Sequence, residues 1–530
     1  MASLDAFAAW CASRDDAIEI NDDVVTIERT SDGGDEEGGL VGRFRVVARA
    51  RCATVGTILG VIPKSSAFTI HSSTLRSTLG SARGVKTLES LGEVGLVCAC
   101  AYERFLVQRA EASAWKEYFD VVPSREDLPQ FWEETSERRR ALVGTKVEVM
   151  IHDDFERMQH DWSVAEAKLK SAAKYAKVDL GDFSWLTFDA FRDAASVVAS
   201  RAFFVDENLG QGLLPFGDLF NHKSNNAHFH VVGATTTSGH DCVVRTTSTR
   251  TRSQSRAEQT SLDDHEDALA LKSCREIAEG EEIYNSFGDD HDNSMLLYKY
   301  GFAERQNTVR GVEFPPEFWE QDSPFDGFSK IAHFHEWLND NYECMEFEIG
   351  ENGSLSPELT LVLVMASRNW LDYNSSEEEL ERSYHHCVND IMNQEESTTS
   401  EAFFDITPEI FFAFVATRFR YYGCVDKYKK PFEAQALPDL FIAMVEDVRE
   451  CRRRSQSSPG SSAVGGGVCG LSAAYLCRAD EIATLCKTVA RMCLSEDNED
   501  EEDEEPVGKK PKLLSATPAY SPTVYLHKSN

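Results

Sequence analysis

Short apolar runs, broken by glycine and proline, open the chain and predict β-strands at 24–27, 44–47 and 58–62. From about residue 90 to 200 the apolar positions recur with helical spacing, and strand and loop patterns return over 201–233. Beyond about residue 320 the pattern is helical again. The chain is therefore predicted to have a strand-rich part that is interrupted and then followed by helices.

The helical region after residue 320 carries start signals and apolar stripes. Ser356-Pro357-Glu358 and Thr407-Pro408-Glu409 each place a hydroxyl at the N-cap, a proline at the first helical position and an acid near the positive helix end. Two stripes follow: Leu440, Phe441, Met444, Val445 and Val448, and then Tyr475, Ala479, Ile482, Cys486 and Val489. We expect both stripes to form core rather than a cofactor site.

Three stretches lack a core-forming pattern. Residues 235–256 are rich in Ser, Thr and Arg and are followed by acids at 263–267, which predicts a mobile insertion. The Ser/Gly-rich stretch 455–470 predicts a linker between helices. After Ser495 the chain becomes strongly acidic, which predicts a disordered tail.

Composition indicates a globular protein with two or three domains. The 530 residues are 42% hydrophobic and exceed what one ordinary core accommodates. The formal net charge of −35 argues against direct nucleic-acid binding, because phosphate contacts require clustered Lys and Arg. An acidic surface suits basic partners such as Lys-rich protein segments. We expect the protein to be a monomer.

Cysteine usage and hydropathy indicate which cellular compartments suit the protein. The 14 cysteines are scattered without paired CxxC spacing, which argues against a structural zinc site. No secretory signal opens the chain and no apolar run is long enough to span a bilayer, so we expect no membrane association. Reduced thiols favour the nucleus or cytoplasm, and Lys509-Lys-Pro-Lys512 resembles a short nuclear-import signal.

Phosphate-loop, nucleophile-elbow and dinucleotide-binding motifs are absent from the sequence, which disfavours ATP-driven, acyl-hydrolase and Rossmann chemistry. What remains is a polar cluster followed by an aromatic segment, 284–302. The cluster contains Arg201, Asp218, Asn221, His222, Asn225 and Asn226. An alternative use of this region is a cupin-like iron site formed by His222, His228 and His230, although no acidic ligand falls in a recognisable place.

Several motifs occur in the order found in one branch of the SET-domain protein methyltransferases. They are Ser200-Arg-Ala-Phe203, Leu214-Pro-Phe-Gly-Asp-Leu-Phe-Asn-His222, Gly280-Glu-Glu-Ile283, Phe287-Gly288 and Leu296-Leu-Tyr-Lys-Tyr-Gly-Phe302. The chain resembles the branch that holds the Rubisco large-subunit lysine methyltransferase, the ribosomal-protein and nuclear lysine methyltransferases and the actin-histidine methyltransferase. The resemblance covers about residues 40–490.

The resemblance implies an α+β fold, with a β-rich knotted SET core, an α-helical insert and a C-terminal all-α domain. On this basis we expect an N-terminal segment at 1–40 and a SET domain at 41–310. Within the SET domain, the helical insert would cover about 90–200 and the mobile insertion about 234–268. A helical substrate-binding domain is expected at 320–494 and a disordered acidic tail at 495–530.

The resemblance also implies S-adenosyl-L-methionine as cofactor, a lysine-bearing protein as substrate, and protein-lysine N-methylation as the reaction. The residues expected to hold the cofactor are Gly42, Arg43, Phe44, Arg201, Asn221, His222 and Phe287. Those expected to line the substrate channel are Arg201, Asp218, Phe229 and Tyr300. Tyr300 and Phe287 occupy the positions expected to act in catalysis.

Two departures from the family pattern keep other functions open. Phe287 stands where the branch has a tyrosine, and Phe229 falls where a close relative has Tyr. The segment before Val46-Val-Ala48 usually reads Gly-x-Gly in this branch, and here it reads Gly42-Arg43-Phe44-Arg45. The alternatives are a catalytically weak SET-fold module that binds a protein partner, and an enzyme that methylates protein histidine.

Overall fold

The computed structural model describes a large part of the chain. The described ranges are 4–29, 44–49, 55–236, 242–243, 267–288, 290–314, 330–331, 333–334, 337–338, 347–367, 376–392, 406–419, 422, 437–458 and 467–499. Of the predicted cofactor residues, Gly42 and Arg43 lie outside these ranges. So do most of the predicted insertion, the nuclear-import signal and nearly all of the acidic tail.

The chain divides into two compact units. Unit 1 comprises Met1–Ala141, Val147–Val309 and Arg454–Cys477. Unit 2 comprises Leu142–Lys146, Arg310–Arg453 and Arg478–Asn530. Each unit has its own hydrophobic core.

Unit 1 is built around a five-stranded antiparallel sheet with strand order β1-β4-β9-β7-β8. The apolar runs predicted as strands form β2, β3 and β4, which confirms those predictions. The strands of this unit are β1 Glu19–Ile20, β2 Val25–Arg29, β3 Phe44–Ala48, β4 Ile58–Pro63, β5 Ala202–Asp206, β6 Gly210–Leu213, β7 Phe229–Thr236, β8 Cys242–Val243, β9 Ala268–Ser273, β10 Phe302–Glu304 and β13 Gly467–Cys469. Separate antiparallel pairs are β2–β3, β5–β6 and β10–β13.

Unit 1 also contains helices, which include the predicted insert. The longest helix between β4 and β5 is α7, with 31 residues, and the last is α8, which ends at Arg201. The helices of unit 1 are α1 Leu4–Ser13, α2 Thr74–Leu79, α3 Ala82–Glu89, α4 Glu93–Gln108, α5 Lys116–Val121, α6 Glu137–Ala141, α7 Lys146–Ala176, α8 Phe188–Arg201 and α9 Asn293–Tyr300. Lys146, the first residue of α7, is assigned to unit 2.

Unit 2 is mainly helical. Its elements are β11 Val312–Glu313, β12 Glu348–Ile349, α10 Pro357–Ser367, α11 Glu377–Met392, α12 Pro408–Phe419, α13 Leu437–Ser457 and α14 Gly470–Glu499. The last two helices begin or end in unit 1. The predicted start of α10 is confirmed, since the Ser356 hydroxyl accepts the Leu359 N–H at 3.2 Å. Leu440, Met444, Ile482 and Val489 are buried in the unit 2 core, which confirms the stripes.

Several boundaries differ from the sequence expectations. The N-terminal segment is part of unit 1, because Phe7 and Cys11 are buried in its core and β2 pairs with β3 across residue 40. The predicted insertion contains the end of β7 paired with β8. The predicted linker contains the end of α13 and strand β13, and α14 extends to Glu499, beyond Ser495. Within the described part of the chain, no helix combines the length and apolar composition needed to cross a membrane.

Candidate active site

Arg201 lies at the end of α8 between two carboxylates. Its Nε donates to Glu126 Oε1 at 2.7 Å, and its Nη1 donates to the main-chain oxygen of Asp218 at 3.0 Å. The same Nη1 is 3.7 Å from Asp218 Oδ2. Burial lowers the pKa of Arg201, but the charges of Glu126 and Asp218 outweigh that effect, so the pKa lies above its ordinary value. Arg201 is therefore a permanent cation already paired within the chain.

Asp218 sits on a 3-10 turn, Gly217–Leu219, five residues after β6. Its side chain is fully buried and receives the Tyr118 hydroxyl, which donates to Oδ2 at 2.7 Å. Burial and then the charge of Asp218 raise the pKa of Tyr118 well above its usual range, so the hydroxyl stays a donor. Asp218 is thus held from two directions, by Tyr118 and by Arg201.

Asn221 joins the turn to two other segments. Its side-chain amide donates to Glu282 Oε1 at 2.7 Å and to the main-chain oxygen of Phe44 at 3.3 Å. Its main-chain oxygen accepts the Asn285 N–H at 2.8 Å. Burial raises the pKa of Glu282, while its hydrogen bonds with Asn221 and Tyr284 oppose the rise. Asn221 therefore brings the start of β3 and the 282–285 segment together.

His222 is buried and fastens the segment that carries Phe287. Its Nδ1 accepts the main-chain N–H of Phe287 at 2.8 Å. Because Nδ1 is the acceptor, the ring proton of the neutral form lies on Nε2, which is 2.9 Å from the Ser224 hydroxyl. The Ser224 N–H in turn faces Glu304 at 3.3 Å. The position of the Phe287 main chain is therefore determined by His222.

Four rings meet beside this segment. The Phe287 ring centroid lies 4.8 Å from Tyr300, 5.1 Å from His222 and 6.3 Å from Phe302. The Tyr300 hydroxyl lies 3.4 Å from the Phe287 main-chain oxygen, a long hydrogen bond. Tyr300 is the last residue of α9, and Gly301 has φ +83°, which ends the helix and starts β10. Such an aromatic cluster suits a cationic group.

Phe229 is fully buried at the start of β7, and its ring centroid lies 4.5 Å from that of Phe220. It belongs to the unit 1 core together with Phe216. The structure therefore joins it through Phe220 to the 217–222 turn. Its predicted role in the substrate channel stays a prediction.

The histidines of the alternative iron site have other partners. His228 repeats the arrangement of His222, because its Nδ1 accepts the Tyr284 N–H at 3.0 Å while Nε2 lies 3.1 Å from Glu281 Oε1. Burial lowers the pKa of His228, and the hydrogen bond with Glu281 opposes that change. Among the described residues, no group of three or more His, Cys, Asp or Glu is arranged to hold a metal. His222 and His228 both hold the 284–287 segment in place by accepting hydrogen bonds from its main-chain N–H groups.

Sequence reasoning missed four groups that complete the site: Tyr118, Glu126, Glu282 and Glu304. Glu282 lies inside the motif Gly280-Glu-Glu-Ile283, but nothing in its spacing indicates its partner. Tyr118 meets Asp218 across 100 residues, and Glu126 meets Arg201 across 75. Contacts at such separations leave no local signal.

The residues present fit the cofactor implied by the fold. S-adenosyl-L-methionine presents hydrogen-bonding groups and a cationic sulfur, and the site offers the Asn221 amide together with the ring cluster around Phe287. Phe44 begins β3, the strand next to the predicted cofactor loop. Gly42 and Arg43 lie outside the described residues, so their predicted contacts stay predictions.

Comparison with solved structures identifies the fold. A crystal structure of the SET domain of LSMT bound to lysine and AdoHcy superposes with a TM-score of 0.55, at 17% identity, over 94% of this chain and 92% of that chain. Rubisco LSMT bound to AdoMet gives 0.52 at 15% identity, over 94% and 93%. The predicted α+β SET fold with helical regions is confirmed. The knot stays a prediction.

Sequence comparison points to the same branch. N-lysine methyltransferase SETD6 of Mus musculus is 25% identical over 311 residues, 56% of this chain and 54% of that protein. The chloroplastic Rubisco large-subunit N-methyltransferase of Pisum sativum is 24% identical over 277 residues, 50% of each. Ribosomal lysine N-methyltransferase 4 of Saccharomyces cerevisiae is 22% identical over 391 residues, 64% of this chain and 70% of that protein.

The chain thus spans about half the length of the first curated relatives that it matches. No profile of a known protein family matches it. The predicted resemblance to the Rubisco LSMT-like branch of SET proteins is confirmed by these relatives and by the fold.

Proposed function

We propose that the protein is an S-adenosylmethionine-dependent protein-lysine N-methyltransferase. The observation that carries the proposal is the joining of Asn221, His222 and the 282–287 segment into one buried site, next to Asp218 and Tyr300, in the LSMT fold. Relatives named as lysine methyltransferases support the same chemistry.

Cofactor binding would rest on Phe44, Asn221, His222, Phe287 and Arg201, with Gly42 and Arg43 added from the preceding loop. When bound, S-adenosyl-L-methionine supplies a methyl group on a positively charged sulfur. The Asn221 amide and the main chain at His222 would orient the cofactor, and the Phe287 ring would pack beside it. Arg201 would add positive charge toward the cofactor carboxylate.

The acceptor side of the site would be formed by Asp218, Phe229 and Tyr300. A lysine amine reacts only when neutral, and a narrow apolar passage favours the neutral form because the charged form loses hydration there. Aromatic walls exclude water and restrict the direction of approach, which provides much of the acceleration in a displacement of this kind. Asp218 would hold the incoming nitrogen by a hydrogen bond.

Phe287 supports a second candidate, a catalytically weak SET-fold module that binds a protein partner. A tyrosine hydroxyl at this position would complement charge on the reacting groups, and Phe287 cannot supply it. Loss of one oriented hydrogen bond costs about 1–3 kcal/mol, or roughly ten- to hundredfold in rate. That reduction slows an enzyme without abolishing it, so the enzyme is the proposal favoured here.

Calorimetry with S-adenosylmethionine tests the proposal first. We expect binding in the micromolar range, with Asn221→Ala weakening it at least tenfold and Asn208→Ala, an exposed turn asparagine, leaving it unchanged. Absence of binding at high micromolar cofactor would refute the methyltransferase proposal.

Transfer of radiolabelled methyl to proteins of a cell extract is the second test. Acid hydrolysis of the product then separates methyl-lysine from methyl-histidine, which decides the acceptor. Binding of cofactor without any transfer would favour the weak binding module.

We further propose that the helical region 320–494 binds the substrate and that the protein works as a monomer in the nucleus or cytoplasm. The charge of −35 supports a basic protein partner rather than nucleic acid. Size-exclusion chromatography with light scattering tests the monomer. Imaging of a tagged chain with and without Lys509–Lys512 tests the compartment.

A further inference from the structure

A buried, charge-balanced network lies behind the turn that carries Asp218. It contains the carboxylates of Asp218 and Glu126, the guanidinium groups of Arg201 and Arg104, and the Tyr118 hydroxyl. Glu126 is 3% exposed, Tyr118 is fully buried, and the Asp218 side chain has no exposure. Two cations and two anions balance, so the network tolerates its burial.

Tyr118 is held rigidly inside this network. Its ring packs against four aromatic side chains at centroid distances of 5.4 to 6.5 Å, namely Phe7, Trp10, Trp115 and Phe119. With the ring fixed on several sides, the hydroxyl has one direction in which to donate, toward Asp218 Oδ2 at 2.7 Å.

The helix that carries Tyr118 is anchored as well. Arg104 on α4 donates to the main-chain oxygens of Phe119, Val122 and Pro123, just where α5 ends. The Glu126 main-chain N–H is bonded to the Ser196 hydroxyl at 3.1 Å, which holds the partner of Arg201. Tyr118 from α5 and Arg201 from α8 therefore meet at the Asp218 carboxylate, while Arg104 from α4 holds the end of α5.

We propose that Tyr118 is a positioning residue of the methyl-transfer site, which orients the Asp218 carboxylate toward the acceptor amine, while Glu126 holds Arg201 against the Asp218 main chain. This inference rests on the proposed function. A hydrogen bond from a fixed hydroxyl to a carboxylate is short and directional, so it determines which way the remaining lone pairs of Asp218 point. A small misplacement of such a group is sufficient to lower the rate of transfer.

The proposal predicts that removal of the Tyr118 hydroxyl lowers the rate of methyl transfer to the acceptor but does not change the affinity for the cofactor. Tyr118→Phe keeps the packed ring and removes only the hydroxyl. We expect kcat/KM for methyl transfer to cell-extract protein to fall about tenfold, whereas the calorimetric Kd for S-adenosylmethionine stays within about twofold. In an Asp218→Asn background, adding Tyr118→Phe is expected to lower kcat/KM by less than about twofold further, because the two residues act as one unit.

Tyr102→Phe is the matched control. Tyr102 is also buried in unit 1, at 8% exposure, and its ring packs against Phe105 and Trp185, outside the network. Both variants remove one tyrosine hydroxyl and keep the ring, but only Tyr118→Phe is expected to lower transfer. If Tyr118→Phe does not fold, Glu126→Gln is the second variant, with an expected fall in kcat/KM of about fivefold when measured at saturating cofactor.

The outcomes distinguish this inference from the proposed function. Suppose that the wild type transfers methyl groups. If Tyr118→Phe is then as active as wild type, or if Tyr102→Phe loses as much activity as Tyr118→Phe, the positioning role is wrong and the methyltransferase proposal stands. A loss of transfer explained by weaker cofactor binding overturns it too. A wild type that binds no cofactor and transfers no methyl overturns both proposals.

Discussion

Phe287 differs from the family pattern in a single hydroxyl, and the structure shows what the rest of the residue does. Its N–H is bonded to His222 and its carbonyl faces the Tyr300 hydroxyl. Its ring packs against His222 and Tyr300. The backbone position and the ring packing of Phe287 therefore do not depend on the missing oxygen. We expect the substitution to affect the rate of methyl transfer and not the local structure.

Phe287→Tyr tests that consequence. A tyrosine hydroxyl would add a donor beside the reacting groups, so we expect kcat for methyl transfer to rise about tenfold, equivalent to about 1.4 kcal/mol. The measurement is the initial rate with radiolabelled cofactor at saturation. Phe287→Leu, which removes the ring without adding a hydroxyl, should instead lower the rate. An unchanged rate in Phe287→Tyr would mean that this hydroxyl is not needed here.

At the scale of elements, the site depends on how segments begin and end. Arg201 ends α8, Asp218 lies on a 3-10 turn and Tyr300 ends α9. Two histidine rings then fasten the 284–287 segment through its main-chain N–H groups. In the proposed function the chemistry lies at termini and loops, so the dihedral angles at those termini would be functional constraints as well as structural ones.

The end of α9 gives one prediction at this scale. Gly301 has φ +83°, so Gly301→Ala should lower the free energy of unfolding by about 1 kcal/mol and shift Tyr300. We expect reduced methyl transfer in addition to the stability loss, measured by urea unfolding and by rate. Gly181→Ala is the control, since Gly181 has φ +70° with open space around it. That variant should lose stability alone; equal activity losses in both would contradict the role of Tyr300.

The buried, hydrogen-bonded position of His228 predicts how the stability of the protein depends on pH. Burial lowers its pKa from 6.5, although Glu281 opposes the change and the Arg275 and Lys223 charges reinforce it. The unfolded chain therefore binds a proton on this histidine at higher pH than the folded chain does. As the pH falls below about 6.5, the unfolded state takes up a proton on His228 before the folded state does, so the free energy of unfolding decreases. Above that pH His228 is neutral in both states and makes no contribution to the pH dependence.

Thermal unfolding between pH 8 and 5 measures this effect. His228→Asn retains an acceptor near the Nδ1 position but does not titrate, so its Tm should depend less steeply on pH below about 6.5 than that of wild type. His160→Asn, at an exposed position on α7, should keep the wild-type slope. Parallel slopes for wild type and His228→Asn would contradict the prediction.

At the scale of the whole molecule, the two units have separate cores, and every described site residue lies in unit 1. Unit 2 contains a buried polar cluster of its own. Glu481 accepts the Lys146 N–H at 3.0 Å and the Tyr422 hydroxyl at 3.0 Å, and lies 3.4 Å from Arg418 Nη2. Arg418 is 1% exposed, so its charge requires this partner.

Glu481→Ala should therefore destabilise unit 2 by about 3–5 kcal/mol, because it leaves a buried guanidinium without its counter-charge. Hydrogen exchange should become faster in α10 and α12, while exchange in β4 and β9 and the affinity for S-adenosylmethionine remain as in wild type. Glu446→Ala, at an exposed position on α13, serves as control and should change neither. Weaker cofactor binding in Glu481→Ala would show that the site depends on unit 2.

Local patterns along the chain were sufficient for the strands β2 to β4, the start of α10 and the apolar stripes of α13 and α14. Those features depend on side-chain periodicity and capping within a few residues, which one sequence displays directly. Ordered motifs also led to the SET fold and to Asp218, Asn221, His222 and Tyr300 as candidates.

The hydrogen-bond partners of these residues were not predictable from the sequence. Tyr118 reaches Asp218, and Glu126 reaches Arg201, only when α5, α8 and the 217–219 turn pack together. Such pairings arise from the folded path of the chain, because a buried charge takes whichever partner the packing brings near and leaves no periodic trace in the sequence.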